Sequence, residues 1–101
     1  MLEAPALTRV QHERGAKGVE VVAINILPEQ APFATWKAFW RAAGGGPGVR
    51  LAEDPAGRAA AAFNVRSIGT TIVLDRQGRI VYRDAGATAY ETLRAAVDEA
   101  L

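Results

Sequence analysis

The spacing of hydrophobic positions along this 101-residue chain changes several times, and each change predicts a new element. From about Glu3 to Arg14, apolar residues recur every three or four positions, which predicts a first helix. Gly15 and Gly18 end it. The next segment, GVEVVAINI, is apolar at most consecutive positions from Val19 to Ile26. This pattern is typical of a strand covered on both faces, as in a parallel sheet.

Two further helices are predicted in the middle of the chain. After the prolines at positions 28 and 32, side chains at helical spacing predict a second helix and core packing for Phe33, Trp36, Phe39, Trp40 and Ala43. A glycine-rich turn, Gly44–Gly48, ends this helix. Asp54 is then expected to cap a third helix with Pro55 at its first position. Asn64 is expected to end that helix in the left-handed conformation.

The last third predicts a hairpin followed by a helix. The segments TTIVLD and RIVYR read as antiparallel strands joined by DRQG, in which Gly78 takes a positive φ. Thr88 and Glu91 form a T-x-x-E capping box. The helix after it carries an apolar face of Leu93, Ala96, Val97, Ala100 and Leu101. The whole order predicts one α/β domain over residues 1–101 with a mixed sheet.

Composition narrows the function classes. Half of the residues are apolar, which suffices for one small core. Twelve Lys and Arg against eleven Asp and Glu give a net charge of +1, with the signs interspersed, so neither nucleic acid nor a membrane surface is an expected partner. No apolar run approaches the ~20 residues of a membrane-spanning helix, and no signal-peptide pattern is visible.

The chain contains no cysteine. This excludes disulfides, thiolate metal ligands and cysteine nucleophiles from these 101 residues. Three other features could suggest a metal-binding, phosphate-binding or catalytic site, but each is better explained by a structural role. His12, the only histidine, has no second metal ligand in view. Gly44–Gly48 lacks any phosphate-binding spacing, and Asp75 stands at a hairpin corner. No metal site is predicted.

Five segments carry a resemblance to a known family. They are EAPAL, GVEVVAINI, LAEDPAGRAAAAFNV, SIGTTIVLDRQGRIVYRDAG and the amphipathic last helix. Together they resemble the thioredoxin-like redoxins, especially thiol-disulfide oxidoreductases of the TlpA and ResA type, and the most specific part runs from Phe63 to Val81. The resemblance implies a thioredoxin-like three-layer α/β fold with a mixed sheet. It also implies exchange of disulfides in client proteins without a metal or organic cofactor, commonly outside the cytoplasm.

The resemblance also implies where the reactive thiols belong. In the family, a strand leads into Cys-x-x-Cys at the start of a helix, and E-x-P-x-L follows in the same helix. Matching Glu3, Pro5 and Leu7 to that segment puts the second cysteine immediately before Met1. The first central strand and both cysteines are therefore expected to lie outside this sequence, and the chain as written is expected to be inactive.

The resemblance assigns two groups of site residues. Glu3 and Pro5 are adjacent to the active site, and the glutamate can tune proton transfers of the cysteines. Ile68, Gly69 and Thr70 form the loop that docks the substrate peptide. Glycine stands at position 69, where the family usually has a cis-proline. Because a non-proline cis bond costs about 2.5–4 kcal/mol, a trans bond is expected here.

Two alternatives remain open at this stage. In the resembled fold, the first strand lies between the strands predicted at Val19–Ile26 and Thr70–Asp75, so its absence leaves two unpaired edges. The chain is then either a cysteine-free binding or scaffolding module, completed as a strand-swapped homodimer through that sheet edge, or a peroxiredoxin relative. The latter needs an upstream cysteine in a T-x-x-C setting. The client, the redox partner, the oligomeric state and the compartment do not follow from the sequence.

Overall fold

A computed structural model of the chain describes residues 3–86 and 88–101. In chain order the elements are helix α1 (Ala4–Arg14), a 3-10 turn (Gly15–Lys17), strand β1 (Val22–Asn25), helix α2 (Phe33–Ala42), strand β2 (Arg50–Glu53), helix α3 (Arg58–Ala62), strand β3 (Thr71–Leu74), strand β4 (Ile80–Asp84) and helix α4 (Tyr90–Ala100). This order confirms the predicted α/β class, although β1 is shorter than predicted. None of the described helices is long and apolar enough to cross a membrane.

The strands form two separate sheets. β1 pairs with β2 in parallel, from Val22 opposite Arg50 onward. β3 pairs with β4 as the predicted antiparallel hairpin, with a bulge after Val73. Within residues 3–86 and 88–101, no strand connects β1 to β3. The combination of helices with parallel and antiparallel pairs is consistent with the expected thioredoxin-like fold.

The prediction that β1 is covered on both faces is wrong for this structure. Val22 and Ile24 are 42% and 40% exposed, whereas Asn25 at the end of the strand is buried. Val22 and Ile24 share one face of β1 because side chains alternate along a strand. No helix of the described part of the chain covers that face enough to bury them.

Helix α1 joins two hydrophobic clusters. In the first, Val10 is 1% exposed and packs with Val73, Leu93 and Val97. In the second, Ala4 of α1 packs with Trp40 and Val49. Leu7 and Val21 are half-buried and contact both clusters. One helix therefore holds the two sheets together.

The predicted core packing of the α2 aromatic residues is correct only in part. Trp40 is buried, but Phe39 is 58% exposed. Phe33 and Trp36 are half-buried and stack with ring centroids 6.1 Å apart. Because the cluster beneath α2 is small, it accommodates one aromatic side chain fully and leaves its neighbour in solvent.

The Gly44–Gly48 turn is a loop, as predicted, but it also packs tightly. A Cβ on Gly45 would overlap the indole of Trp40, and one on Gly46 would lie 2.9 Å from the methyl carbon of Thr8. The Gly46 N–H donates to the Thr8 hydroxyl at 3.0 Å. These glycines are needed because backbone and side chains approach closely, in addition to forming the turn.

The ends of the third helix differ from the prediction in one respect. The Asp54 carboxylate accepts hydrogen bonds from the N–H groups of Ala59 (3.1 Å) and Ala60 (2.9 Å), so its capping role is confirmed. Pro55 is not the first helical residue, because the chain first closes a turn in which the Gly57 N–H donates to the Asp54 carbonyl. Gly57 has φ 68°, and α3 starts after it. Asn64 has φ 53°, as predicted.

The capping box predicted for α4 is wrong. The N-cap residue is Ala89, which makes no side-chain capping bond. Thr88 precedes it and is buried, with its hydroxyl 3.3 Å from the hydroxyl of Tyr82. The threonine therefore packs against β4 and does not cap the helix. Leu93 and Val97 are buried as predicted, whereas Leu101 is 41% exposed.

Candidate functional site

Glu3 lies at the N-cap position of α1 and connects this helix to the hairpin. Its carboxylate accepts a hydrogen bond from the hydroxyl of Thr71, the first residue of β3, which is buried. A negative charge here also interacts favourably with the N-terminal end of the helix dipole. The start of α1, the start of β3 and the Glu3 carboxylate are therefore next to each other.

Pro5 occupies a different position from Glu3, on the side of α1 that faces the glycine-rich loop. A Cβ on Gly44 would lie 3.0 Å from Cγ of Pro5, and Gly44 has φ 95°. Pro5 is in the first turn of α1, where its missing N–H leaves no helical bond unmade. Its observed contact is with this loop.

The loop Ser67–Thr70 leads directly into β3 and is closed by its own side chains. The Thr70 hydroxyl donates to the Ser67 carbonyl at 2.8 Å, and the Ser67 hydroxyl donates to the Ala85 carbonyl at 2.7 Å. Ile68, between them, is 77% exposed. No hydrogen bond within the described part of the chain uses its backbone N–H or carbonyl. Its backbone is therefore free to pair with another chain.

Gly69 is not required by space or by backbone angle. The nearest atoms to a Cβ placed there, the Ala85 carbonyl oxygen and a Gly86 backbone carbon, would be 3.7 Å away, which is an ordinary contact. Its φ does not lie in the left-handed region. The peptide bonds of the described residues are all trans, as expected for Gly69.

A shallow depression of about 350 Å³ adjoins this loop. It is lined by Asn64, Arg66, Ser67, Thr70, Arg83 and Ala85. The guanidinium of Arg83 donates to the backbone carbonyls of Phe63 and Asn64, and Nε of Arg66 donates to the side-chain oxygen of Asn64 at 3.3 Å. Sequence reasoning missed both arginines because they are far apart in the chain and only the hairpin brings them together.

The remaining candidate residues have structural roles. The Asp75 carboxylate accepts hydrogen bonds from the backbone N–H groups of Gln77 and Arg79, both at 2.9 Å. The Arg79 N–H lowers the pKa of this carboxyl group. His12 is exposed and its Nε2 lies 3.0 Å from the Pro47 carbonyl. The described residues contain no group of three or more His, Asp or Glu that could hold a metal ion.

Comparison of the sequence with known protein families identifies the family of this chain. The family model described as Redoxin matches residues 1–101. The chain belongs to the redoxin family. A search of curated proteins gave no match. As a redoxin-family chain, it has the thioredoxin-like frame predicted from sequence, and it contains no cysteine among its 101 residues.

Proposed function

We propose that this redoxin-family chain is the frame of a TlpA/ResA-type thiol-disulfide oxidoreductase. In this proposal it acts once a strand with a Cys-x-x-Cys turn occupies the space between β1 and β3. The observation that carries the proposal is the missing connection between the two sheets, with the N-terminus of α1 and Glu3 beside the start of β3. The segment from Phe63 to Val81 supports the choice of this type within the family.

The free edge of β1 is suited to an added strand. The carbonyls of Val21 and Asn25 accept hydrogen bonds from residues at either end of β2. Because successive residues of a strand direct their backbone groups to opposite edges, the groups of Val22 and Ile24 face away from β2. Unpaired rows of this kind readily accept another strand. A strand added there would extend the parallel pair to three strands.

The Cys-x-x-Cys turn that follows the added strand would end at the start of α1, and this position determines its chemistry. A cysteine at the N-terminus of α1 would be stabilised as a thiolate by the helix dipole and the free N–H groups. The thiolate attacks one sulfur of a client disulfide and forms a mixed disulfide. The second cysteine then attacks this bond, so the client gains two electrons and leaves as a dithiol while the enzyme becomes a disulfide. Glu3 is the nearby carboxylate that can exchange the protons.

The proposed docking site for the client is the loop Ile68–Thr70, as the resemblance implies. A client peptide would lie along Ile68–Thr70, where the exposed Ile68 has an unpaired backbone. The Ser67 hydroxyl fixes this loop against the end of β4, so the surface is preformed. No metal or organic cofactor is needed for this exchange, and proteins of the resembled type commonly carry it out outside the cytoplasm.

The decisive experiment is mass spectrometry of the protein isolated from its native host, alkylated before digestion. We expect an N-terminal peptide that extends beyond Met1 and carries two alkylated cysteines three positions apart. The same preparation should reduce the disulfides of insulin. Glu3→Gln should slow this reaction and shift its pH profile, whereas Glu29→Gln, an exposed charge-matched control, should not.

Other outcomes would replace the proposal. A native protein without cysteine contradicts the enzyme function and favours the binding or scaffolding module, in which the free edge of β1 pairs with a second copy of the chain. Analytical ultracentrifugation would then detect a dimer. A single upstream cysteine together with peroxide consumption would indicate a peroxiredoxin.

A further inference from the structure

We propose that the depression between Arg66 and Arg83 binds a carboxylate side chain of the client peptide, and that the protein therefore selects acidic segments. The client itself rests on the proposed function; the anion preference rests on the groups that line the depression. Both arginines are exposed; Arg83 lies on β4, and Arg66 lies in the segment between α3 and the loop Ser67–Thr70.

The arginines retain free donors. Arg83 uses one N–H of each terminal nitrogen to hold the carbonyls of Phe63 and Asn64. Arg66 uses its Nε on the side chain of Asn64. A guanidinium has five N–H donors in a planar fork. The remaining donors of both residues, including the terminal pair of Arg66, suit the two oxygens of a carboxylate.

The two hydroxyl groups of the depression have no hydrogen left to donate to a ligand. The Ser67 hydroxyl donates its hydrogen to the Ala85 carbonyl, and the Thr70 hydroxyl donates to the Ser67 carbonyl. A hydroxyl has a single hydrogen to donate, so the two oxygens can only accept further bonds. Recognition of an anion therefore depends mainly on the two arginines, with the side-chain amide N–H groups of Asn64 as neutral donors beside them.

No carboxylate of the described residues neutralises this pair. The four ion pairs found there use Arg9, Arg14, Arg50 and Arg79. The nearest acid in sequence, Asp84, accepts hydrogen bonds from the Gly86 N–H and the Tyr82 hydroxyl. The depression thus carries uncompensated positive charge on a chain whose net charge is only +1.

The position of the depression favours a peptide over a free anion or a nucleic acid. It adjoins the loop where Ile68 exposes an apolar side chain and where its backbone has no hydrogen-bond partner among the described residues. An extended peptide paired with that backbone would place one side chain near Ile68 and a neighbouring one near the arginines. No aromatic side chain lines the depression for stacking with a base. The expected ligand is an acidic residue close to an apolar one.

The test is an NMR titration of the native full-length protein, isotope-labelled, with the acetylated pentapeptide amide Glu-Glu-Leu-Glu-Glu. Its Gln-Gln-Leu-Gln-Gln analogue and inorganic phosphate serve as comparison ligands. We expect the glutamate peptide to shift the amide signals of Ser67, Thr70 and Arg83 most strongly. R66Q should weaken binding roughly two- to fivefold, as for an exposed charge pair. Raising the NaCl concentration should weaken it further.

R76Q provides the matched control, because Arg76 lies in the turn at the other end of the hairpin. It removes the same charge and should leave peptide binding unchanged. R66Q is the primary variant since, unlike Arg83, Arg66 holds no backbone carbonyl. Equal binding of the glutamine peptide, an equal loss in R76Q, or phosphate binding as tight as the peptide would each overturn the inference. Because binding requires no thiol, this result is independent of whether the native protein contains cysteines.

Discussion

The two sheets are stabilised in different ways. The hairpin β3–β4 is formed by neighbouring segments and is closed by a turn in which Gly78 has φ 81°. Val73 in its first strand is buried against α4. The parallel pair β1–β2 depends on a long connection through α2 and the glycine-rich loop, and Val22 and Ile24 remain exposed. Local pairing completes the hairpin, whereas the parallel pair needs distant contacts.

Helix α1 supplies contacts to the parallel pair and to the connection between its strands. The side-chain amide of Gln11 donates to the Val19 carbonyl at 3.1 Å and accepts from the Val21 N–H at 2.6 Å. These side-chain bonds satisfy the Val19 carbonyl and the Val21 N–H just before β1 begins. Thr8 holds the glycine-rich loop in a similar way. The parallel pair is therefore expected to be more sensitive than the hairpin to changes in the core beside α1.

The largest expected effect comes from Trp40→Ala. Trp40 is 3% exposed, so its removal should lower the free energy of unfolding by about 3–5 kcal/mol. Urea denaturation measures this loss. Hydrogen exchange should increase first in β1 and β2 and only later in the hairpin. Phe39→Ala, at an exposed neighbouring position, should change stability by no more than about 0.5 kcal/mol. Equal acceleration of exchange in both sheets would contradict the comparison.

Gly45→Ala should give the next largest effect. The added Cβ would overlap the Trp40 indole, and overpacking of this kind costs about 1–3 kcal/mol. Gly69→Ala is the matched control, because the added carbon has ordinary contacts and an alanine restricts the unfolded chain. This variant should be neutral or more stable by roughly 0.4–1 kcal/mol. If both substitutions had the same effect on the urea midpoint, close packing of the loop would be excluded.

Local signals in the sequence predicted the elements well but predicted their burial less well. The helix ends at Gly18 and Asn64 and the turn at Gly78 follow from backbone preferences of single residues, and all three were confirmed. Burial depends on which elements meet. The spacing of apolar residues in α2 predicts that both Phe39 and Trp40 lie in the core, although only Trp40 is buried. Thr88 was misassigned because Tyr82, close to it only in the fold, takes its hydroxyl.

The candidate site shows the same limit. Glu3 and the loop Ile68–Thr70 were identified through resemblance, and the contact between Glu3 and Thr71 now places them close together. Their assigned functional roles stay predictions. Arg66 and Arg83 carry no motif, and isolated arginines are common on surfaces. Only the pairing of β3 with β4 brings them to one depression.

Asp54, at the end of the parallel pair, should produce a smaller and pH-dependent effect. Hydrogen bonds from the Ala60 and Ala59 N–H groups lower the pKa of its carboxyl in the folded state. Because the pKa is lower in the folded state, the ionised carboxylate stabilises the protein above the unfolded pKa of about 4. This stabilisation is lost as the pH falls through the folded pKa. Asp54→Asn keeps an acceptor for the cap but should reduce the fall of the urea midpoint as the pH drops below about 4. Glu29→Gln controls for the change in net charge; an unchanged profile in Asp54→Asn would contradict the assignment.

The smallest effect is expected from the ion pair that ties α4 to α1. Arg14 Nε lies 2.7 Å from Asp98, and this bond lowers the pKa of the aspartate. In a double-mutant cycle of Arg14→Gln and Asp98→Asn, the coupling should be stabilising and should decrease in 1 M NaCl, because the pair is partly exposed. The Arg79–Asp75 pair is the control, since it lies within the hairpin turn. Loss of Arg14–Asp98 should speed hydrogen exchange in α4, whereas loss of the control pair should not. If both did so equally, the faster exchange would reflect a general loss of stability, and a specific role of Arg14–Asp98 in holding α4 on α1 would be excluded.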